Sequence, residues 1–189
     1  MIDLNINGKV YRHPSKIEEV TLRQWVSIMS VEKEEGEAGI NSNIKQFSAF
    51  SGIPVDILKT VKKKDLMYHI HVVFELMNRT DVKDDELPVS FKLGRTNYHV
   101  TQDIDNAAMA QYIDCTHYMN KMKSSPEFYA YMLAIYCTKK NEKYGSFDLI
   151  ERAELMLDLN MLDALRVNAF FLTTSEDYLA DSQLYLEGK

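Results

Sequence analysis

The sequence contains two similar segments at a constant spacing of 87 positions. In the first, an extended stretch ends at Tyr11 and a helical stretch contains Gln24; in the second, Tyr98 and Gln111 stand at the corresponding places. Further apolar positions match at the same spacing: Leu4 with Phe91, Ile6 with Leu93, Ile17 with Ile104, Leu22 with Met109, Trp25 with Tyr112, and Val26 with Ile113. A fixed spacing of this kind predicts an internal duplication, in which one structural unit occurs twice.

Two unrelated hairpins that each precede an amphipathic helix would also look alike by chance. Beyond the first helix the match weakens, because residues 72–74 correspond to residues 169–171 only at a spacing of 97, which requires an insertion in the second half. We favour duplication because the common register covers both the hairpin and the helix.

Each segment has the local signals of a β-hairpin followed by a helix. Residues 2–6 alternate apolar and polar side chains, and Asn7-Gly8 favours a type I′ turn because both residues tolerate a positive φ. Thr21, with Gln24 three positions later, predicts a capping box at a helix N-terminus. In the second segment, Gly94 separates two short extended stretches.

The rest of the chain has mostly helical periodicity. We therefore predict an α+β fold, mostly helical, in which each of two similar halves is a short β-hairpin followed by several packed helices. The N-terminal half covers residues 1–78, a polar linker covers 79–88, and the C-terminal half covers 89–189. Equivalent core positions of the two repeats are expected to be Trp25 and Tyr112, Leu22 and Met109, and Tyr11 and Tyr98.

Charge and composition argue against several classes of protein. The net charge of −6 disfavours a nucleic-acid binder, which needs a basic surface. Cys115 and Cys137 fit a reducing compartment, where buried thiols behave as small apolar groups. No signal peptide is evident, and no stretch reaches the ~20 apolar residues of a membrane span. We therefore expect a cytoplasmic protein without a membrane partner.

No residue pattern indicates catalysis, and we expect no enzyme activity, no metal and no cofactor. His69 and His71 lie two positions apart on a predicted helix and so point to different faces. The remaining histidines are interpreted as surface or boundary residues: His13, His99 and His117. Glycines are scattered singly, and neither a phosphate-binding loop nor a nucleophile elbow is present.

Two alternatives remain open at this point. A small regulatory or nucleic-acid-associated factor would use the basic residues Lys62 to Lys64 and Arg79. A hydrolase with an unrecognised site would use His117 and Asp114, and it would require a pocket that converges on both side chains.

Aromatic residues and methionine are more numerous than a core of this size requires, with 11 tyrosines, 8 phenylalanines and 10 methionines. Tyrosine and methionine are enriched at protein interfaces because they bury a large area at modest entropic cost. The candidate interaction surface consists of Tyr129 and Tyr131 on one predicted helix and Tyr178 and Tyr185 on the last. We therefore expect the protein to act through protein–protein contacts, self-association included.

Three short stretches support a family resemblance: Thr21-Leu22-Arg23-Gln24-Trp25-Val26, Ala110-Gln111-Tyr112-Ile113 and Ala169-Phe170-Phe171-Leu172. With the preceding hairpin, they resemble small proteins from the structural gene blocks of tailed bacteriophages, namely tail-assembly chaperones and baseplate-hub assembly proteins. The resemblance implies a non-enzymatic protein that binds other virion components during or after assembly. It implies the host cytoplasm or the virion as location, phage structural proteins as partners, and no catalytic residues.

Overall fold

The computed structural model describes residues 1–32, 37–78, 88–103, 107–122, 125–169 and 171. The fold is α+β and mostly helical, which confirms the predicted class and is compatible with a duplication. The chain divides into two compact units. Unit 1 comprises Met1–Asp81 with Asn160–Leu162, and unit 2 comprises Val82–Leu159 with Asp163–Lys189. Of the segment 79–88, which the sequence predicts to be a linker, residues 79–87 lie outside the described residues. No sequence signal indicated that residues 160–162 belong to unit 1.

Unit 1 begins with an antiparallel hairpin of β1 (Ile2–Ile6) and β2 (Lys9–His13). Its turn residues Asn7 and Gly8 have φ angles of 51° and 82°, which fit the predicted type I′ turn. A short 3₁₀ helix follows at Ile17–Glu19. The helices of unit 1 are α1 (Leu22–Met29), α2 (Glu37–Ser51), α3 (Val55–Leu58) and α4 (Lys63–Asn78).

The core of unit 1 is formed by one face of the hairpin and by apolar rows of the helices. Leu4 and Ile6 are buried because alternate residues of a strand share one face. The buried helical residues include Leu22, Val26, Ile28, Phe47, Phe50, Leu66, Ile70 and Val73. Burial of each such large side chain contributes about 1.5–3 kcal/mol to the stability of the folded state.

Unit 2 begins with the hairpin of β3 (Ser90–Leu93) and β4 (Thr96–Val100), and β5 (Cys137–Lys139) adds an antiparallel third strand beside β4. The two hairpins have the same register, since Leu93 pairs with Thr96 as Ile6 pairs with Lys9. Strand β5 follows α6 directly, and no sequence signal indicated this strand.

The helices of unit 2 are α5 (Met109–Lys121), α6 (Phe128–Tyr136), α7 (Leu149–Met156) and α8 over residues 161–169. Residues 161 and 162, at the start of α8, belong to unit 1. Helix α6 contacts both α5 and α7. It is buried almost all round, at Ala130 and from Met132 to Tyr136, as is typical of a core helix.

Candidate interaction site

The first helix of each unit is held by a glutamine in the same way. In unit 1, Gln24 accepts a hydrogen bond from the Thr21 backbone N–H (3.1 Å) and donates one to the Phe50 carbonyl of α2 (3.1 Å). In unit 2, Gln111 accepts from the Ala108 N–H (2.9 Å) and donates to the Ile135 carbonyl of α6 (2.7 Å). The glutamine thus caps one helix and ties it to the next in both units.

One row of side chains on these two helices is also buried alike. Ile28 of α1 and Cys115 of α5, which correspond at the spacing of 87, are both 4% exposed. The Cys115 thiol lies 3.3 Å from the sulfur of Met132 on α6, and burial raises the pKa of this thiol. Both helices therefore pack against the following helix through equivalent positions.

The second apolar row behaves in opposite ways in the two units. Leu22 and Val26 of α1 are buried, whereas their counterparts Met109 and Ile113 of α5 are 70% and 59% exposed. Tyr112, the counterpart of Trp25, is 40% exposed. The prediction that Met109 and Tyr112 lie in a repeat core is wrong, because both side chains are exposed. We refer to Met109, Tyr112 and Ile113 as the open face of α5.

In unit 1, residues 160–162 lie against the start of α1. Asn160 forms an isolated antiparallel bridge with Thr21, and the Met161 N–H donates to the Val20 carbonyl at 2.8 Å. The Asn160 side chain also donates to the Glu18 carbonyl. Val20 and Met161 are fully buried. This segment therefore lies over the start of α1, whereas among the described residues no bridge or backbone hydrogen bond of this kind is present at the start of α5.

The other predicted repeat-core residues differ in burial. Leu22 and Tyr98 are buried, and Tyr98 stacks on Phe91 at a centroid distance of 5.6 Å. Trp25 and Tyr11 are only half-buried. The ammonium group of Lys9 lies 4.7 Å from the centre of the Tyr11 ring.

The predicted tyrosine surface falls partly within the described residues. Tyr129 and Tyr131 of α6 are half-buried, and Tyr131 stacks on Tyr118 of α5 at 4.2 Å between ring centroids. Burial raises the pKa of Tyr131, and the neighbouring Tyr118 adds to this effect. The α5–α6 contact therefore includes Tyr131. Tyr178 and Tyr185 lie outside the described residues.

A pair of buried histidines in unit 1 is the polar cluster that the sequence interpretation missed. The Nε2 atom of His13 lies 2.7 Å from the Nδ1 atom of His69, and Nδ1 of His13 lies 2.9 Å from the Pro14 carbonyl. Because a carbonyl only accepts, Nδ1 of His13 carries a proton. Burial favours the neutral form of both rings. In the neutral pair, Nε2 of His13 accepts from Nδ1–H of His69, and Nε2 of His69 presents a lone pair.

Burial lowers the pKa of both histidines, in agreement with this neutral pair. The hydrogen bond to Pro14 partly offsets the effect at His13, and the charge of Asp65 does so at His69. Next to the pair, a surface cavity of about 390 Å³ is lined by Leu4, Asn5, Lys64, Asp65, Tyr68 and His69.

The interpretation of His13 as a surface or boundary residue is wrong, since it is almost fully buried. Two sequence signals could have identified the pair. His13 lies two positions after Tyr11 on the same face of β2, and His69 lies on the face of α4 that carries Leu66 and Val73. His71, as predicted from its spacing, lies on the other side and is exposed.

The described residues of the two alternative functions are exposed or are held by other contacts. His117 is exposed, while Asp114 accepts a hydrogen bond from the Tyr144 hydroxyl at 2.6 Å. Burial, and then this hydrogen bond to Asp114, raise the pKa of Tyr144. Lys62, Lys63 and Lys64 are exposed around the start of α4. Arg79 lies outside the described residues.

A buried ion pair anchors the loop before α7. Arg152, which is 4% exposed, donates two hydrogen bonds to the carboxylate of Glu142, at 3.0 and 2.7 Å. This contact with Arg152 holds the pKa of Glu142 below its usual range. The guanidinium also lies over the rings of Phe147 and Tyr98, at 4.0 and 5.1 Å. The pair is enclosed by structural contacts and has a packing role.

No protein-family model, curated protein or solved structure matches the chain. Within the described ranges, no group of three or more His, Cys, Asp or Glu side chains is arranged to hold a metal ion. Of the helices in the part of the chain that the structure describes, none has both the length and the apolar character to cross a membrane.

Proposed function

We propose that this chain is a non-enzymatic structural or assembly protein that acts through protein–protein contacts. The observation that supports this most directly is the open face of α5, where Met109 and Ile113 expose more than half of their surface. Leu22 and Val26, the counterparts of Met109 and Ile113, are buried in unit 1. Exposed groups of large apolar residues commonly mark interaction sites.

The resemblance to tail-assembly chaperones and baseplate-hub assembly proteins supports a narrower form of the proposal. In that form the protein assists the assembly of the tail or baseplate of a tailed phage, and its partners are phage structural proteins. It works in the host cytoplasm and then leaves the particle or stays in it.

Affinity purification of the tagged full chain from its native context tests the proposal. The retained proteins are identified by mass spectrometry after mild cross-linking, and the purified chain is weighed in solution by light scattering. We expect a stoichiometric protein partner or self-association, and a chain of similar size and charge with the same tag is the control. Recovery of neither a partner nor an oligomer would refute the proposed function.

A further inference from the structure

The start of α1 in unit 1 shows which kind of chain segment binds at the start of the first helix of a repeat. Its neighbour there is the short segment Asn160–Leu162. Asn160 forms the bridge with Thr21 and caps α8, since it accepts from the Leu162 N–H at 2.9 Å. The next residue, Met161, is fully buried. The occupant is thus the start of a helix: a capping residue followed by a large apolar side chain.

The backbone at the start of α5 has the conformation required for the same contact. Ala108 is extended, with φ −64° and ψ 140°, as is its counterpart Thr21 with φ −91° and ψ 157°. Ala107 corresponds to Val20, whose carbonyl accepts from Met161. Among the described residues, no hydrogen bond to the Ala107 carbonyl is recorded, and Ala108 is exposed. An extended backbone beside an unpaired carbonyl acceptor is a template for a bridging strand residue.

The charge of this region restricts the chemistry of its occupant. Residues 107–113 contain no charged side chain, and neither does the segment 159–162 that fills the counterpart in unit 1. A charged side chain placed directly over the apolar groups of Met109 and Ile113 would lose part of its hydration. An uncharged segment therefore fits this surface.

The size of the region favours a short segment over a second folded body. The open face offers three large side chains beside two alanines. A standard stable interface uses about 20–30 residues on each side, so this face by itself is too small for a stable dimer of two copies. One helix start, with a single bridging residue and one or two apolar side chains, matches the available surface.

We infer that the start of α5 docks the uncharged start of a helix from a partner protein. The partner's capping residue bridges Ala108, its next N–H donates to the Ala107 carbonyl, and its apolar side chain covers Met109 and Ile113. This inference rests on the proposed function, because it names the kind of segment that the partner supplies.

A peptide with the sequence of residues 155–167 serves as the probe, since it contains the segment that binds the counterpart in unit 1. It is titrated into the full chain, and the methyl signal of Met109 is followed by NMR. We expect a saturable shift at millimolar peptide. The shift should be lost with Ile113→Asp in the protein and with the change Met161→Asp in the peptide.

Ile150→Asp is the matched control, because Ile150 of α7 is 61% exposed and Ile113 is 59% exposed. The Ile150→Asp variant should bind the peptide like the unmodified chain. Ile113→Asp and Ile150→Asp should have the same unfolding temperature. No saturable shift, or a shift that survives Ile113→Asp, overturns the inference.

Two other occupants would also overturn it. A shift that depends on protein concentration alone identifies a second copy of the chain, and exposure of Met109 on removal of residues 172–189 identifies the chain's own C-terminal segment. The proposed function fails separately, when affinity purification recovers neither a partner nor an oligomer. It stands without this inference when a partner is captured equally by the unmodified chain and by Ile113→Asp.

Discussion

The first helices of the two units share their hydrogen bonds and differ in their burial. Gln24 and Gln111 each cap their own helix and each donate to a carbonyl near the end of the next helix. Yet the row of Leu22 and Val26 is buried in unit 1, while the matching row of Met109 and Ile113 is exposed in unit 2. The common sequence pattern therefore specifies how the helix is attached and does not specify what covers its other side.

The difference in burial shows that the glutamine hydrogen bonds and the burial of the apolar row depend on different parts of the chain. The glutamine contacts are made within the repeated motif, between a helix and its successor. The start of α1 is also bound by a segment from far along the chain, because Asn160 bridges Thr21 and the Met161 N–H donates to the Val20 carbonyl. In unit 2 the corresponding apolar row has Met109 and Ile113 exposed.

Truncation of the two corresponding side chains should give the largest contrast. Leu22→Ala removes a fully buried side chain, and we expect it to lower the free energy of unfolding by about 2–5 kcal/mol. Met109→Ala changes a side chain that is 70% exposed, so the expected effect is within about 0.5 kcal/mol. Urea unfolding measures both, and the single tryptophan, Trp25, reports on unit 1 by its fluorescence.

Circular dichroism should follow unit 2 in the same samples, because two units need not unfold in one transition. A loss of more than about 1 kcal/mol for Met109→Ala, beyond the usual range for exposed sites, would mean that the face of α5 is covered. The comparison between the units would then lose its basis.

The two glutamines should show similar effects of smaller size. Gln111→Ala leaves the Ile135 carbonyl and the Ala108 N–H without their partners, and we expect a cost of about 1–3 kcal/mol in unfolding free energy. Gln24→Ala should cost less, because Gln24 is only half-buried and water can replace part of its contacts. Both costs are measured by urea unfolding.

A glutamate at the same site separates the two contacts of Gln111. Gln111→Glu keeps the acceptor for Ala108 but removes the donor and places a carboxylate near the Ile135 carbonyl, so it should cost at least as much as alanine. If Gln111→Glu left the free energy of unfolding unchanged, the hydrogen bond to α6 would not contribute to stability. The two glutamines would then be equivalent only in their geometry.

The histidine pair distinguishes unit 1 from unit 2, where Val100 takes the place of His13. Burial lowers the pKa of both histidines below the ordinary value of 6.5. As the pH falls below that value, the unfolded chain binds protons that the folded chain does not, so stability is complete above it and decreases toward lower pH. We expect a loss of about 1.4 kcal/mol per histidine for each pH unit between the folded and unfolded pKa values.

Unfolding free energies measured between pH 8 and pH 5 test this expectation. The double variant His13→Val/His69→Leu should lose most of the pH dependence, whereas His71→Gln, at an exposed position of the same helix, should retain it. Each single change should cost more than the double change, because it leaves one imidazole buried without its partner. Equal pH slopes for the unmodified chain and the double variant would rule out the neutral pair.

Sequence reasoning predicted those features that depend on neighbours along the chain. The type I′ turn at Asn7-Gly8 and the capping box of Thr21 and Gln24 follow from backbone and side-chain preferences of adjacent residues. The α+β class follows from the same signals, repeated. The glutamine's second hydrogen bond, to the next helix, could not be predicted because it depends on how two helices pack.

The features that sequence reasoning missed all join distant residues. His13 and His69 are 56 positions apart, and β5 pairs with β4 across the whole of α5 and α6. The exposure of Met109 was missed for a related reason. Periodicity identifies an apolar row on a helix, but it contains no information on whether another part of the chain covers that row.

Exchange of the two capping residues is the smallest and most specific test of the comparison. The Thr21 hydroxyl accepts from the Gln24 N–H at 3.3 Å, and Ala108 has no side-chain acceptor at that place. Thr21→Ala should therefore cost about 1 kcal/mol, and Ala108→Thr should stabilise unit 2 by a similar or smaller amount, because Ala108 already has the extended backbone of a cap. Thermal unfolding of the two single variants measures both effects.

In unit 2 the Gln111 N–H already donates to the Ala108 carbonyl at 2.8 Å, so a new hydroxyl must compete with this bond. If Ala108→Thr does not stabilise, that competition decides the outcome, and the two helix starts are equivalent in backbone shape but not in their capping energy.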